Sequence, residues 1–238
     1  MGIGLFVASQ SVKDTPMRLL YHFPLSPQGR LVRLALAEKK LSFGSEPVEL
    51  GHLPPAVLEL SPRAQLPLLV DEDRTPIAGV GAITAYIEET YPLDNLLGTN
   101  ALERAETRSL LDWLDEHMAR DLTDKLYGER LLKRIMRSGA PDSRAIRAGL
   151  DAIGPYLTWI GAQCDLRRWL AGDNITLADL ACAAQLSVID YLGDIKWDQF
   201  PGAKTWYGRI KSRPSFRSLL SDSFPGLPPA AHYINIDF

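Results

Sequence analysis

The sequence predicts an α/β unit followed by an all-α unit, and two observations carry that reading. Short apolar runs alternate with helical patterns as far as Tyr91-Pro92, and beyond that point only long helical stripes remain. A chain of 238 residues, 46% hydrophobic and 23% charged, also suits two compact units better than one. The predicted organisation is a disordered extension over 1–16, an α/β unit over 17–92, a helical unit over 101–222 and a proline-rich tail over 223–238.

In the first unit, residues 18–23 read as a strand and 28–40 as a helix. Leu31, Leu34, Ala35 and Glu38 follow the i, i+3, i+4, i+7 spacing, and the three apolar members share one face. A strand over 44–48, a short helix near 54–60, strands over 68–70 and 75–78 and a helix over 81–90 complete it. In the second unit, Leu111, Leu114, Met118, Leu122 and Leu126 form one long stripe, which Gly139-Ala140-Pro141-Asp142 breaks. Helices over 143–163, 177–192, 203–212 and 215–220 follow.

Composition narrows the function classes. A formal charge of −3 gives no bulk attraction to nucleic acid. Cys164 and Cys182 are too few and too far apart for a metal cluster or a CxxC pair, and both read as reduced thiols, which fits a cytoplasmic protein. No apolar run approaches the roughly 20 residues that cross a bilayer, so membrane insertion is not expected. Residues 3–8 are apolar but have no basic stretch before them, so 1–16 reads as an extension rather than a signal peptide.

Three local motifs carry chemistry. Pro24-Leu25-Ser26-Pro27 turns a strand directly into a helix and places Ser26 at the helix start. A hydroxyl there caps the helix, the commoner role, or donates to an anionic sulfur. Ala64-Gln65-Leu66-Pro67-Leu68-Leu69 reads as a strand entry. Thr176 and Asp179 have the spacing of a reciprocal helix cap.

These motifs resemble those of the soluble glutathione transferase family from about residue 17 to residue 220. The resemblance implies a thioredoxin-like N-terminal domain followed by a helical bundle of glutathione-transferase type. It also implies a homodimer, a cis peptide before Pro67, and a ligand groove at Ser26, Leu66, Pro67, Gly79 and Val80. Within that groove Ser26 would be the catalytic residue, activating a glutathione thiol. One departure stands against ordinary glutathione binding. The family presents an acidic residue followed by Ser before its third helix, and this chain has Gly79-Val80 there. Each charge-assisted hydrogen bond lost is worth roughly 1.5–3 kcal/mol, or about one to two decades of affinity.

The stretch Tyr21-His22-Phe23-Pro24-Leu25-Ser26-Pro27, the Gly79-Val80 replacement and a tail ending in Asp237-Phe238 narrow the resemblance. They are similar to an alphaproteobacterial branch of glutathione-transferase-like proteins that bind FtsZ. The branch implies binding and organisation of acidic FtsZ filaments at the division site, in support of constriction, with no cofactor. The alternative is a transferase that uses glutathione on a small electrophile. For the partner surface, the sequence offers two candidates. Lys133, Arg134 and Arg137 lie in a basic stretch with Lys125, Arg130, Arg144 and Arg147, and Asp142 is the one acid between Lys133 and Arg147. Tyr233, Asp237 and Phe238 end a tail whose prolines keep it extended, and such a tail either packs on its own domain, the favoured reading, or enters a partner's groove. The loop over 49–55 is the next candidate.

Overall fold

The computed structural model describes residues 17–61 and 63–236. The first unit is a four-stranded sheet in the order β2-β1-β3-β4. Strand β1 (Arg18–His22) pairs in parallel with β2 (Phe43–Pro47), through the crossover helix α1 (Pro27–Glu38). It pairs antiparallel with β3 (Leu68–Val70), which pairs antiparallel with β4 (Pro76–Ala78). The short helix α2 (Pro55–Leu60) precedes β3, and α3 (Val80–Thr90) follows β4. Strand β3 is buried at all three positions, as an apolar strand between two neighbours must be. The peptide before Pro67 is cis, as the resemblance implies.

The second unit begins at α4 (Ala101–Trp113), capped by the Asn100 side chain, which accepts from the Leu102 and Glu103 amides. The helix continues as a π-wound stretch (Leu114–Leu132) and ends in α5 (Lys133–Met136). The wider winding accounts for a buried series at intervals of four, four, four and five: Leu114, Met118, Leu122, Leu126 and Leu131. The sequence stripe anticipates most of that series, although Leu111 is only partly buried. Then come α6 (Ser143–Leu166), capped by Asp142, the central α7 (Leu177–Leu192), α8 (Pro201–Lys211) and α9 (Arg217–Leu220). The expected helix over 215–220 is a 3₁₀ turn (Pro214–Phe216) running into α9.

Helix α7 is the axis of the core, buried at every position from Leu177 to Tyr191. Its start carries the capping box read from the sequence. Asp179 accepts from the Thr176 amide and hydroxyl at 3.0 Å each, and also from the Leu170 amide at 2.9 Å and the Trp206 indole at 3.0 Å. Burial nonetheless holds its carboxyl above the usual carboxylate range.

Side chains tie the two units together. Arg213 grips Glu38 of α1 through two 2.6 Å bonds, and the Ser215 hydroxyl donates to the same carboxylate at 2.5 Å. The fourth residue of the α1 stripe is therefore a docking carboxylate rather than a solvent one.

Candidate functional site

Ser26 is a helix cap in extended conformation (φ −74°, ψ 126°). Its Oγ accepts from the Gly29 amide at 3.3 Å and donates to Gln28 Oε1 at 3.0 Å. Both bonds are local, so the structure gives the capping role read from the sequence. Ser26→Ala is expected to cost about 0.5–2 kcal/mol of stability, measured by denaturant unfolding.

One strand residue before the turn is acid-sensitive. His22 is buried, with Nε2 2.8 Å from Ser45 Oγ. Burial, reinforced by the charges of Arg33 and Arg30, lowers its pKa from 6.5 to about 4. The folded chain keeps His22 neutral where the unfolded chain takes up a proton. Its contribution is therefore full above pH 6.5 and is lost as pH falls toward 4, amounting to about 3 kcal/mol. Unfolding series at pH 7 and pH 4.5 should show that loss, and His22→Gln should flatten it.

Neither of the two cavities described below is lined by all five groove residues. Gly79 is the start of α3 with φ +91°, a conformation that favours glycine, and its amide donates to the Pro67 carbonyl at 2.9 Å. A Cβ on Gly79 would stand 2.5 Å from Gln65 Nε2, so the Gln65 amide occupies the place of an acidic side chain. Val80 lines a cavity of about 320 Å³ with Pro27, Gln28 and Leu31. Leu66 lines another, of about 420 Å³. Ser26, Pro67 and Gly79 line neither of the two.

The second cavity joins two surfaces that the sequence treated separately. Leu50, Gly51 and Leu53, from the loop after β2, face Leu58, Leu66 and Met136. Gly51 (φ +82°) lets the backbone approach Met136, whose Sδ and Cε would lie 3.5 Å from a Cβ there. Leu58 and Met136 are 43% and 50% exposed, so the groove is open and apolar, and the exposed Arg137 follows Met136 in the chain.

The basic stretch is partly neutralised. Lys133 pairs with Glu129 at 2.6 Å, and Glu129 also accepts from the Asp142 amide at 2.7 Å. That amide, and then the Lys133 ammonium, hold the Glu129 carboxyl below its usual range. Arg130 pairs with Asp194, and Arg134 donates to the Gly226 carbonyl at 3.2 Å. Of the three predicted steering cations, Arg137 is the one whose side chain makes no hydrogen bond or ion pair among the described residues; it closes α5 in the left-handed conformation (φ 49°), its amide donating to the Lys133 carbonyl.

The tail corrects the other candidate. Tyr233 is fully buried, so it is not available as a surface contact. Its hydroxyl accepts from Arg30 Nη1 at 3.0 Å and donates to the Leu219 carbonyl at 3.0 Å, while its ring meets Tyr191 edge-on at 5.4 Å. The tail also turns back rather than running extended. Phe224 meets Phe23 edge-on at 6.3 Å, the Tyr191 hydroxyl donates to the Leu227 carbonyl at 2.6 Å, and the Ala230 amide donates to the Tyr191 carbonyl at 2.9 Å. His232 and Lys211 reach the buried Asp190 carboxylate at 2.8 and 3.4 Å. Asp237 and Phe238 lie outside the described residues.

Sequence reasoning missed Arg30, Arg33 and Asp222, which bind the units beneath this tail, and Met136, which completes the groove. No periodic or motif signal marks contacts between positions so far apart in the chain.

The glutathione S-transferase N-terminal domain model matches residues 20–95, and the C-terminal domain model of the same family matches residues 140–214. The chain belongs to the glutathione S-transferase family. Among its relatives in this family, FtsZ-localized protein A of Caulobacter vibrioides is 46% identical over 224 residues, 93% of this chain and 98% of that protein. A solved structure described as FzlA from C. crescentus superposes with a TM-score of 0.88 at 46% identity, covering 93% of this chain and all of that one. A structure described as a glutathione S-transferase from Rhodospirillum rubrum F11 gives 0.90 at 46% identity, with the same coverage.

Proposed function

We propose that this chain is a glutathione-transferase-fold protein that binds FtsZ filaments, organises them and supports constriction in cell division, without glutathione chemistry. The observation that carries this reading is its 46% identity to FtsZ-localized protein A along nearly the whole of both chains. The site supports it by what it lacks for catalysis. The Ser26 hydroxyl is spent on Gln28 and Gly29, and Gly79-Val80 offers neither carboxylate nor hydroxyl.

The binding surface in this reading is the open groove between the 49–55 loop and Met136, together with the exposed Arg137 that follows Met136 in the chain. A homodimer would present two copies to a repeating filament, and bivalency would supply avidity that one copy lacks. Arg137→Glu should reduce co-sedimentation with FtsZ filaments most at low salt, where the Debye length at 0.01 M is about 30 Å, and the deficit should shrink near 1 M. Met136→Asp should reduce it at every salt concentration, because apolar burial is not screened. If both variants fold and pellet like the parent, the surface lies elsewhere.

The transferase reading rests on the description of the Rhodospirillum rubrum structure. Calorimetry with glutathione separates the two. Binding no tighter than millimolar is the expected outcome, and micromolar binding would overturn the account of Gly79-Val80.

A further inference from the structure

The hairpin between α5 and α6 carries an excess of positive charge, of which the filament-binding surface uses only Arg137. Residues 125–150 hold seven cations against two carboxylates, Glu129 and Asp142, in a chain whose formal charge is −3. Four of the seven are engaged: Lys125 stands 3.9 Å from Asp121, Arg130 pairs with Asp194, Lys133 pairs with Glu129, and Arg134 donates to the Gly226 carbonyl. The side chains of Arg137, Arg144 and Arg147 make no hydrogen bond or ion pair among the described residues. Nearby acids do not neutralise them. Asp142 accepts from the Arg144 and Ala145 amides at the start of α6, bonds that hold its carboxyl below the usual range ahead of the charges of Arg144 and Lys133. The exposed Asp151 lies four residues after Arg147 and forms no ion pair with it.

The hairpin protrudes. Every residue from 136 to 144 is exposed, and a Cβ on Gly139 would meet nothing within 4 Å. Arg144, Arg147 and Leu150 then follow at intervals of three along one side of α6, all of them exposed. None of the three arginines lines either cavity, so the patch is a tip rather than a pocket. A protruding basic tip meets a flat anionic surface without needing a complementary shape, and guanidinium groups bond phosphate oxygens in pairs. Leu150 is 41% exposed beside these arginines, and no Phe, Tyr or Trp occurs between Gly128 and Pro155. The tip therefore has apolar surface to offer an acyl boundary, and no ring on which a nucleic-acid base could stack.

We propose that this hairpin is a peripheral contact for an anionic lipid surface, with Arg137, Arg144 and Arg147 meeting the lipid phosphates. The contact is adsorption rather than insertion, since no helix among the described residues is long and apolar enough to cross a membrane. Each cation near an anionic leaflet is worth about fivefold in partitioning, so three give roughly a hundredfold preference over a neutral surface.

The test is sedimentation of the full chain, without FtsZ, with vesicles of mixed phosphatidylglycerol and phosphatidylcholine and with vesicles of phosphatidylcholine alone. The chain should pellet with the anionic vesicles at low salt and not with the neutral ones, and it should leave them near 1 M salt, where the Debye length is about 3 Å. An Arg144→Gln, Arg147→Gln double variant should partition about 25-fold more weakly. Both positions are exposed, so the variant should fold, and circular dichroism checks that it does. Failure to pellet with anionic vesicles at low salt would overturn the proposal, as would equal recovery with neutral vesicles or an unchanged partition of the folded double variant. Tighter binding of a nucleic-acid duplex than of the anionic vesicles under the same conditions would also overturn it, giving the patch to nucleic acid instead.

Discussion

Asp222→Ala is expected to destabilise the folded chain by about 3–5 kcal/mol, the range for removing one partner of a buried ion pair. Asp222 follows α9 and holds two guanidinium groups of α1: Arg30 at 3.1 Å and Arg33 at 2.8 Å. The Arg30 side chain is wholly buried and that of Arg33 is 5% exposed, so neither can turn to water when the carboxylate is lost. Arg30 would keep its bonds to the Pro24 carbonyl, Ser187 and Tyr233, and Arg33 its bond to the Ser218 carbonyl. Both charges would remain uncompensated. Denaturant unfolding monitored by circular dichroism checks the loss. Asp222→Asn, which removes the charge but keeps one of the two acceptor oxygens, should cost less than Asp222→Ala. If Asp222→Ala costs less than about 1 kcal/mol, a surface-pair value, the two units are not clamped as described.

Tyr233→Ala should cost a similar amount, about 3–5 kcal/mol, the range for deleting a buried aromatic side chain. The ring packs among Phe23, Leu25, Val188 and Tyr191, and its hydroxyl bridges α1 of the first unit to the Leu219 carbonyl of the second. Tyr233→Phe keeps the ring and should cost only about 1–3 kcal/mol, for the bonds left unmade. Filament co-sedimentation of the folded Tyr233→Phe chain should match the parent, since the residue is internal. A filament-binding defect in that folded variant would restore the surface role that the tail's sequence suggested.

The parts of this fold legible in the sequence are those set by local physics. The strand-turn-helix at Ser26, the cap at Thr176 and Asp179, and the stripe of the long helix each depend on residues within a turn or two of one another. The glycine at 79 was legible as the loss of an acidic position, but not as a place taken by Gln65. The Glu129–Lys133 pair lies at i, i+4, within reach of sequence reasoning, and it weakens the basic stretch that looked free when read from Lys133 onward. The partners of Tyr233 and Asp222 lie about 190–200 positions away in α1, and neither periodicity nor spacing encodes such a contact. The same is true of Met136 and the 49–55 loop: each is an unremarkable apolar segment until the fold brings them to one groove. The sequence of the proline-rich tail left two readings, packing on its own domain, which it favoured, and entry into a partner's groove, and the burial of Tyr233 gives the first.

The most direct test of the central claim is sedimentation of this chain with FtsZ polymerised by GTP, compared with unpolymerised FtsZ. The account predicts that the chain enters the pellet with the filaments, that Met136→Asp keeps it in the supernatant, and that Ser26→Ala does not. A chain that stays in the supernatant with intact filaments, or one whose recovery in the pellet depends on Ser26 and not on the groove, would contradict it.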